Sequence, residues 1–295
     1  QKLWVEKLEF IIYKVKNVQY SPQDEELFTH LNTDAMQIPF FKIFEPLLRY
    51  AKKSFCESLA NKNMSPSLIS RRAHEKILLH LGQRLADRLS FTLFQSFANY
   101  KDCKEDFVPH IQGGIYKSFT EEFWGGLDKQ FFLNYPIAGR ILVRTIDTSL
   151  SYYNEIFTNL LFDIKHINSK CNCGTQVNVV DINLGLSDPH NGSKSVCILE
   201  LSGGKKIVYK PRSLQPELEV RSFLQVLRDN GSPPIFTIME SKDLGDHGWQ
   251  SYIEPSDCIA LQELQDYYEC VGASMFLLRV FSSSDIHQEN LMPHR

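Results

Sequence analysis

The stretch SVCILELSGGKKIVYKPRSL, residues 195–214, decides how the chain reads. Two short β-rich runs, SVCILEL (195–201) and KKIVYK (205–210), flank the turn-forming SGGK (202–205). That pattern spells a β-hairpin. The hairpin ends on Lys210. Beyond Pro211 the spacing of Leu218, Phe223, Leu224 and Leu227 predicts a helix. Upstream, VNVVDINLG (177–185) reads as another strand. Downstream come the strand candidate IFTIMES (235–241), the turn-rich DLGDHGW (243–249) and the strand-like SYIE (251–254). LQELQDYYECVGASMFLLRVF (261–281) is a long helix that delivers the chain to Asp285.

The first half has a different texture. In SPSLISRRAHEKILLHLGQRLADRLSF (65–91), Ala73, Ile77, Leu81, Leu85 and Leu89 recur every four residues, with Leu78 beside them. This is one apolar stripe of a helix, and it reads as core. Ser65 before Pro66 predicts an N-cap with proline in the first turn. Arg71 and Arg72 read as a solvated face. FFKIFEPLLRYAKKSFCESLA and ILVRTIDTSLSYYNEIFTNLLFDI show similar spacing. The polar segment NSKCNCGTQ (168–176) marks a change of texture. The expected organisation is therefore α+β: a helical region over 1–168, then a β-hairpin-rich lobe over 169–295.

Composition bounds the function. The chain has 295 residues, 43% hydrophobic and 12% aromatic, enough for a sizeable core. A net charge of -3 and a pI near 6.3 argue against a nucleic-acid surface. No apolar run reaches the ~20 residues of a membrane span. QKLWVEKLEF (1–10) has mixed charge and no apolar core of a signal peptide. The seven cysteines suit a reducing cytosol, so a cytoplasmic location is expected. Cys171 and Cys173 form a close pair, which reads as two thiols in a polar connector, since a structural zinc site usually needs two such pairs.

Lys210 follows the polar loop SDPHNGSKS (187–195) by about one hairpin. Protein kinases use that order: a flexible loop covers the ATP phosphates, and a strand lysine holds them as a fixed positive charge. The loop here lacks GxGxxG and has only Gly192 at its centre. In kinases the catalytic-loop Asp accepts the substrate hydroxyl proton, and an Asn five positions later holds Mg²⁺. Asp285 and Asn290 are also five apart, in FSSSDIHQENLMPHR (281–295). Mg²⁺ wants further oxygen ligands, and residues 291–295 supply no second carboxylate. A chain cut inside its active site is the expectation.

Taken together these segments resemble the dehydratase domain of class II lanthipeptide synthetases, the LanM type. The resemblance rests on LNYPIAGRIL (133–142), SDPHNGSKSV (187–196), GGKKIVYKPRSL (203–214), HGWQSYIE (247–254) and YYECVGASMFLLRVFSSSDIHQENL (267–291). It implies a kinase-like fold and a bacterial enzyme. That enzyme phosphorylates Ser and Thr of a precursor peptide with ATP, then eliminates phosphate to leave dehydroamino acids. By position, Lys210 would bind ATP phosphates, with Gly192 and Lys194 in the phosphate loop. Asp285 would activate the hydroxyl, and Asn290 would hold Mg²⁺. Asp188, His190 and His287 match family positions tied to phosphorylation or elimination, and spacing does not divide the roles among them. The resemblance also implies a leader-bearing peptide partner and a cyclase domain past residue 295. There are departures: Ser187 and Lys194 stand where the family often has Gly and Arg, and Ser251 stands where it often has an acid, with Glu254 nearby. Two other readings stay open. One is a kinase-like phosphotransferase for a small molecule. The other is a peptide-binding module whose helices grip a leader.

Overall fold

The structure is a computed structural model that describes residues 3–17, 21–104, 114–167, 178–188, 194–232, 239–257 and 259–283. Its fold is α+β. The helices of the first part are α1 (Leu3–Asn17), α2 (Pro22–Asp34), α3 (Phe41–Ala60), α4 (Arg71–Lys104), α5 (Gly114–Glu122), α6 (Leu127–Asn134) and α7 (Pro136–Ile167). Then follow β1 (Val179–Asn183), β2 (Cys197–Leu201), β3 (Lys206–Lys210), α8 (Gln215–Asp229), β4 (Ser241–Asp243), β5 (Gly248–Ser251) and α9 (Leu261–Val280). The strands run in the order β1-β2-β3-β5-β4. The chain divides into two compact units: residues 1–195 with 199–204, and residues 196–198 with 205–295. The division passes through β2. β1 thus lies beyond the change of texture near residue 169 yet belongs to the helical unit.

In the first unit the periodicity is realised as burial. Ala73, Ile77, Leu78, Leu81, Leu85 and Leu89 are all buried, none above 3% exposed. They pack α4 against α3 and α7. Each such leucine removes an apolar side chain from water, contributing about 1.5–3 kcal/mol. Tyr135 sits between α6 and α7 with φ -127 and ψ 65. A residue before proline is pushed out of the helical region, and Pro136 can then open the next helix.

One detail differs from the expectation. The long helix starts at Arg71, not after Ser65. Pro66–Leu68 form a separate 3-10 turn, and Ile69 bridges Val179 of β1 in parallel. Ser70 is the working cap: its hydroxyl accepts from the Ala73 N–H at 3.1 Å and donates to the Val180 carbonyl at 2.5 Å. Edge pairing with β1 competes with helix formation and wins over residues 69–70. Arg71 and Arg72 are exposed, as expected, and both also pair across elements. Arg71 pairs with Glu26 of α2 at 2.6 Å, and Arg72 with Asp181 of β1 at 3.0 Å. Lys76 also reaches Asp181, at 2.7 Å. The strand is thus riveted to α4 by charge.

Polar groups are also sealed between α4 and α7. His80 Nδ1 lies 2.7 Å from the Tyr153 hydroxyl. Burial, helped by the Arg84 charge, pulls His80 down to about 4 from its ordinary 6.5. Burial pushes the Tyr153 phenol up.

In the second unit β3 pairs antiparallel with β5, and β5 with β4. β5 spans Gly248–Ser251, three residues earlier than the SYIE reading. Trp249 drives the shift: it is 3% exposed and its ring lies 4.9 Å from that of Tyr209 on β3. The turn is therefore 244–247, where the Leu244 N–H donates to the His247 carbonyl at 2.9 Å. Most of IFTIMES, the pair Cys171 and Cys173, and residues 284–295 lie outside the described residues.

Candidate functional site

β3 alternates as a half-buried strand should: Ile207 and Tyr209 are buried, while Lys206, Val208 and Lys210 are half-buried on the other face. Lys210 closes the strand opposite Gly248 of β5. The chain then turns through Pro211 into α8, and that start is pinned. Asp243 of β4 accepts from the Leu214 N–H at 2.6 Å and the Ser213 hydroxyl at 3.1 Å. The first of these bonds is the main reason its carboxyl sits below the usual range. Leu214 is fully buried over Gly248. A Cβ at 248 would lie 2.5 Å from Leu214 and 2.8 Å from the Lys242 carbonyl oxygen, so the Gly-Trp element needs its glycine for space.

This anchoring brings Glu217, in the first turn of α8, to the end of β3. Its Oε1 accepts from Lys210 Nζ at 3.4 Å and from Arg212 Nη2 at 2.6 Å. Its Oε2 accepts from Arg212 Nη1 at 3.1 Å. The Lys210 and Glu217 side chains are only 18% and 22% exposed. Burial pulls the Lys210 ammonium below its ordinary value; Glu217 opposes this and the Arg212 charge adds to it. Burial works to raise the Glu217 carboxyl, but the Arg212 hydrogen bond and the Lys210 charge outweigh it and hold it low. A strand cation is thus braced by a helix carboxylate, the arrangement that fixes the phosphate-binding lysine in protein kinases.

The sequence reading did not single out Glu217. The available signal was an acid in the first turn of the predicted helix, seven residues after Lys210. Spacing alone cannot show that the helix folds back on the strand.

The other expected site residues divide by position. Lys194 stands before β2, and its Nζ lies 2.5 Å from Glu155 of α7. The next residue, Ser195, offers its carbonyl to the Tyr152 hydroxyl. Asp188 is exposed in the segment after β1, its carbonyl accepting from the Ser187 hydroxyl at 3.3 Å. His190, Gly192, Asp285, His287 and Asn290 lie outside the described residues. Glu254, weighed as a stand-in for the missing acid at Ser251, instead pairs with Lys206 at the far end of β3, at 3.0 Å. Among the described residues no three metal-binding side chains cluster, and no helix is long and apolar enough to cross a membrane.

The described part of the site is therefore a strand lysine paired with a carboxylate of the following helix, on a small sheet. The chain belongs to the family described as "Domain of unknown function (DUF4135)", whose model matches residues 135–295. Among individual proteins it is similar to the lacticin 481/lactococcin biosynthesis protein LcnDR2 of Lactococcus lactis subsp. lactis, with 24% identity over 114 residues. That stretch is 36% of this chain and 12% of the relative, so the chain spans a small part of that protein's length.

Proposed function

We propose that this chain carries the ATP-binding part of a lanthipeptide synthetase dehydratase. It would phosphorylate Ser and Thr side chains of a precursor peptide and then eliminate the phosphate. The observation that carries this reading is the Lys210–Glu217 pair, in a chain related to a lacticin 481/lactococcin biosynthesis protein. A half-buried cation with a fixed partner suits a phosphate, because a preorganised charge needs no reorganisation when the anion arrives.

In this reading Lys210 binds the phosphates of ATP. Asp285 accepts the proton of the substrate hydroxyl as that oxygen forms a bond to the γ-phosphorus of ATP, whose bond to the bridging oxygen breaks and releases ADP. Asn290 would hold Mg²⁺, which supplies charge neutralisation on the phosphates when bound. Elimination then removes the α-proton of the phosphorylated residue, forms the Cα–Cβ double bond and expels phosphate. Asp188, His190 and His287 are the groups assigned to these proton movements. Two steps are needed because hydroxide is a poor leaving group and phosphate a good one.

The test is to incubate the protein with a Ser/Thr-containing precursor peptide, ATP and Mg²⁺ and to weigh the peptide. Gain of phosphate followed by net loss of water is expected. Both should vanish in Lys210→Ala, since losing a phosphate-binding charge costs several kcal/mol of transition-state stabilisation, about that of an oxyanion donor. A phosphate that persists, on a small molecule rather than a peptide, would replace this reading with a simple phosphotransferase.

A further inference from the structure

Arg212 holds Glu217 more closely than Lys210 does, with two bonds at 2.6 and 3.1 Å against one at 3.4 Å. Two cations therefore share one carboxylate, and the cluster carries one uncompensated positive charge. Pro211 between them limits how far the chain can rearrange. Arg212 is also available: its side chain is 55% exposed, against 18% for Lys210. A guanidinium has five N–H donors. Two are used on Glu217 and one on the Ser213 carbonyl at 3.0 Å, which leaves two. Lys210 has three donors, with one bond among the described residues. The cluster thus presents spare donors from two cations, one a point charge and one a planar fork that matches phosphate oxygens.

We propose that Arg212 is a second phosphate-binding residue, which joins Lys210 in holding the polyphosphate of a nucleoside triphosphate while Glu217 orients both cations. This rests on the proposed function for the identity of the nucleotide, but the anion site itself follows from the charge and donor count. It also gives Arg212 a role that a mere tie between the end of β3 and α8 would not have.

The experiment measures binding of tripolyphosphate, of adenosine and of a phosphoserine peptide to the protein and to Arg212→Gln. The inference expects the variant to lose about tenfold in tripolyphosphate affinity, one lost charge-assisted contact, with adenosine affinity and thermal melting unchanged. Equal tripolyphosphate affinity in both proteins overturns it. So does a parallel loss for tripolyphosphate and adenosine, which marks a structural tie. A loss confined to the phosphoserine peptide overturns the nucleotide assignment. Should Arg212→Gln not fold, Arg212→Lys carries the same comparison, since it keeps the charge and removes the fork. If the wild-type protein binds tripolyphosphate through Arg212 but modifies no peptide, the dehydratase reading falls and the anion site stands. If it modifies peptide and Arg212→Gln matches it in binding and rate, only the role of Arg212 falls.

Discussion

α4 and α8 carry similar apolar spacing and use it differently. In α4 the residues of the stripe are buried to 3% exposure or less. In α8 no residue is buried, and Phe223 is 37% exposed. α8 is instead held by polar contacts at its start, with Asp243 on the Leu214 N–H and Glu217 between Lys210 and Arg212. Its apolar side meets Phe281 through Phe223, ring centroids 5.1 Å apart. Periodicity therefore predicts a helix in both places, but the energy that holds the helix comes from burial in one and from ionic and capping contacts in the other. A helix held by charge at one end can report on a charged ligand; one held by a buried stripe cannot.

The largest test of this contrast is truncation of the stripe. Leu85→Ala is expected to cost about 2–5 kcal/mol, because a fully buried leucine leaves a cavity. Phe223→Ala, on the partly exposed face of α8, should cost well under half as much. Urea midpoints of the two variants decide it, and equal losses would erase the distinction between the helices.

Next is the polar seam under α4. His80 has its pKa lowered to about 4, so its neutral form belongs to the folded state. A depressed histidine leaves stability intact above the unfolded value of 6.5, and stability is lost as pH falls from there toward 4. The loss approaches about 3 kcal/mol at the acid end. Stability curves at pH 7 and pH 4.5 should separate less in His80→Gln than in the wild type. An unchanged separation would take His80 out of the seam.

Glu217→Gln tests the other side of the comparison. Gln fills the same space but leaves the Lys210 and Arg212 charges without their anion. On the proposed function, peptide phosphorylation should fall about thirtyfold, roughly 2 kcal/mol, within the range for breaking a hydrogen bond to a charged group. Melting should fall only modestly, since the Asp243 bonds to Ser213 and the Leu214 N–H still hold the start of α8. Normal kinetics in this variant would mean that Lys210 does not need its brace.

Two glycines of the second unit give the last comparison, whose second member has the smallest expected effect. Gly248→Ala should destabilise by about 1–3 kcal/mol, because the new methyl meets Leu214 and the Lys242 carbonyl. Gly272→Ala, within α9, meets nothing within 4 Å and should stabilise by about 0.5–1 kcal/mol. Opposite signs in a melting comparison are the outcome to check.

Much of the helical unit was legible before folding because a buried stripe writes itself into the sequence every three or four residues. The start of α4 was not. Ser65 and Pro66 look like a helix opening, but Ile69 and Ser70 are claimed by β1, more than a hundred residues away. The register of β5 was misread for a similar reason. Trp249 looks like part of a turn until Tyr209 stands beside it.

By itself the sequence determined the class of the fold, the hairpin that ends on Lys210, and the buried face of α4, because these depend on local propensity and on a periodic apolar pattern. Only the tertiary structure decided that Glu217 meets Lys210, that Arg212 takes the larger share of that carboxylate, and that Lys194 turns to Glu155. An ion pair has no period and no required spacing. Its partners are chosen by where the backbone places them, and here Asp243 and the missing side chain at Gly248 set that placement by fixing the start of α8 against the strand.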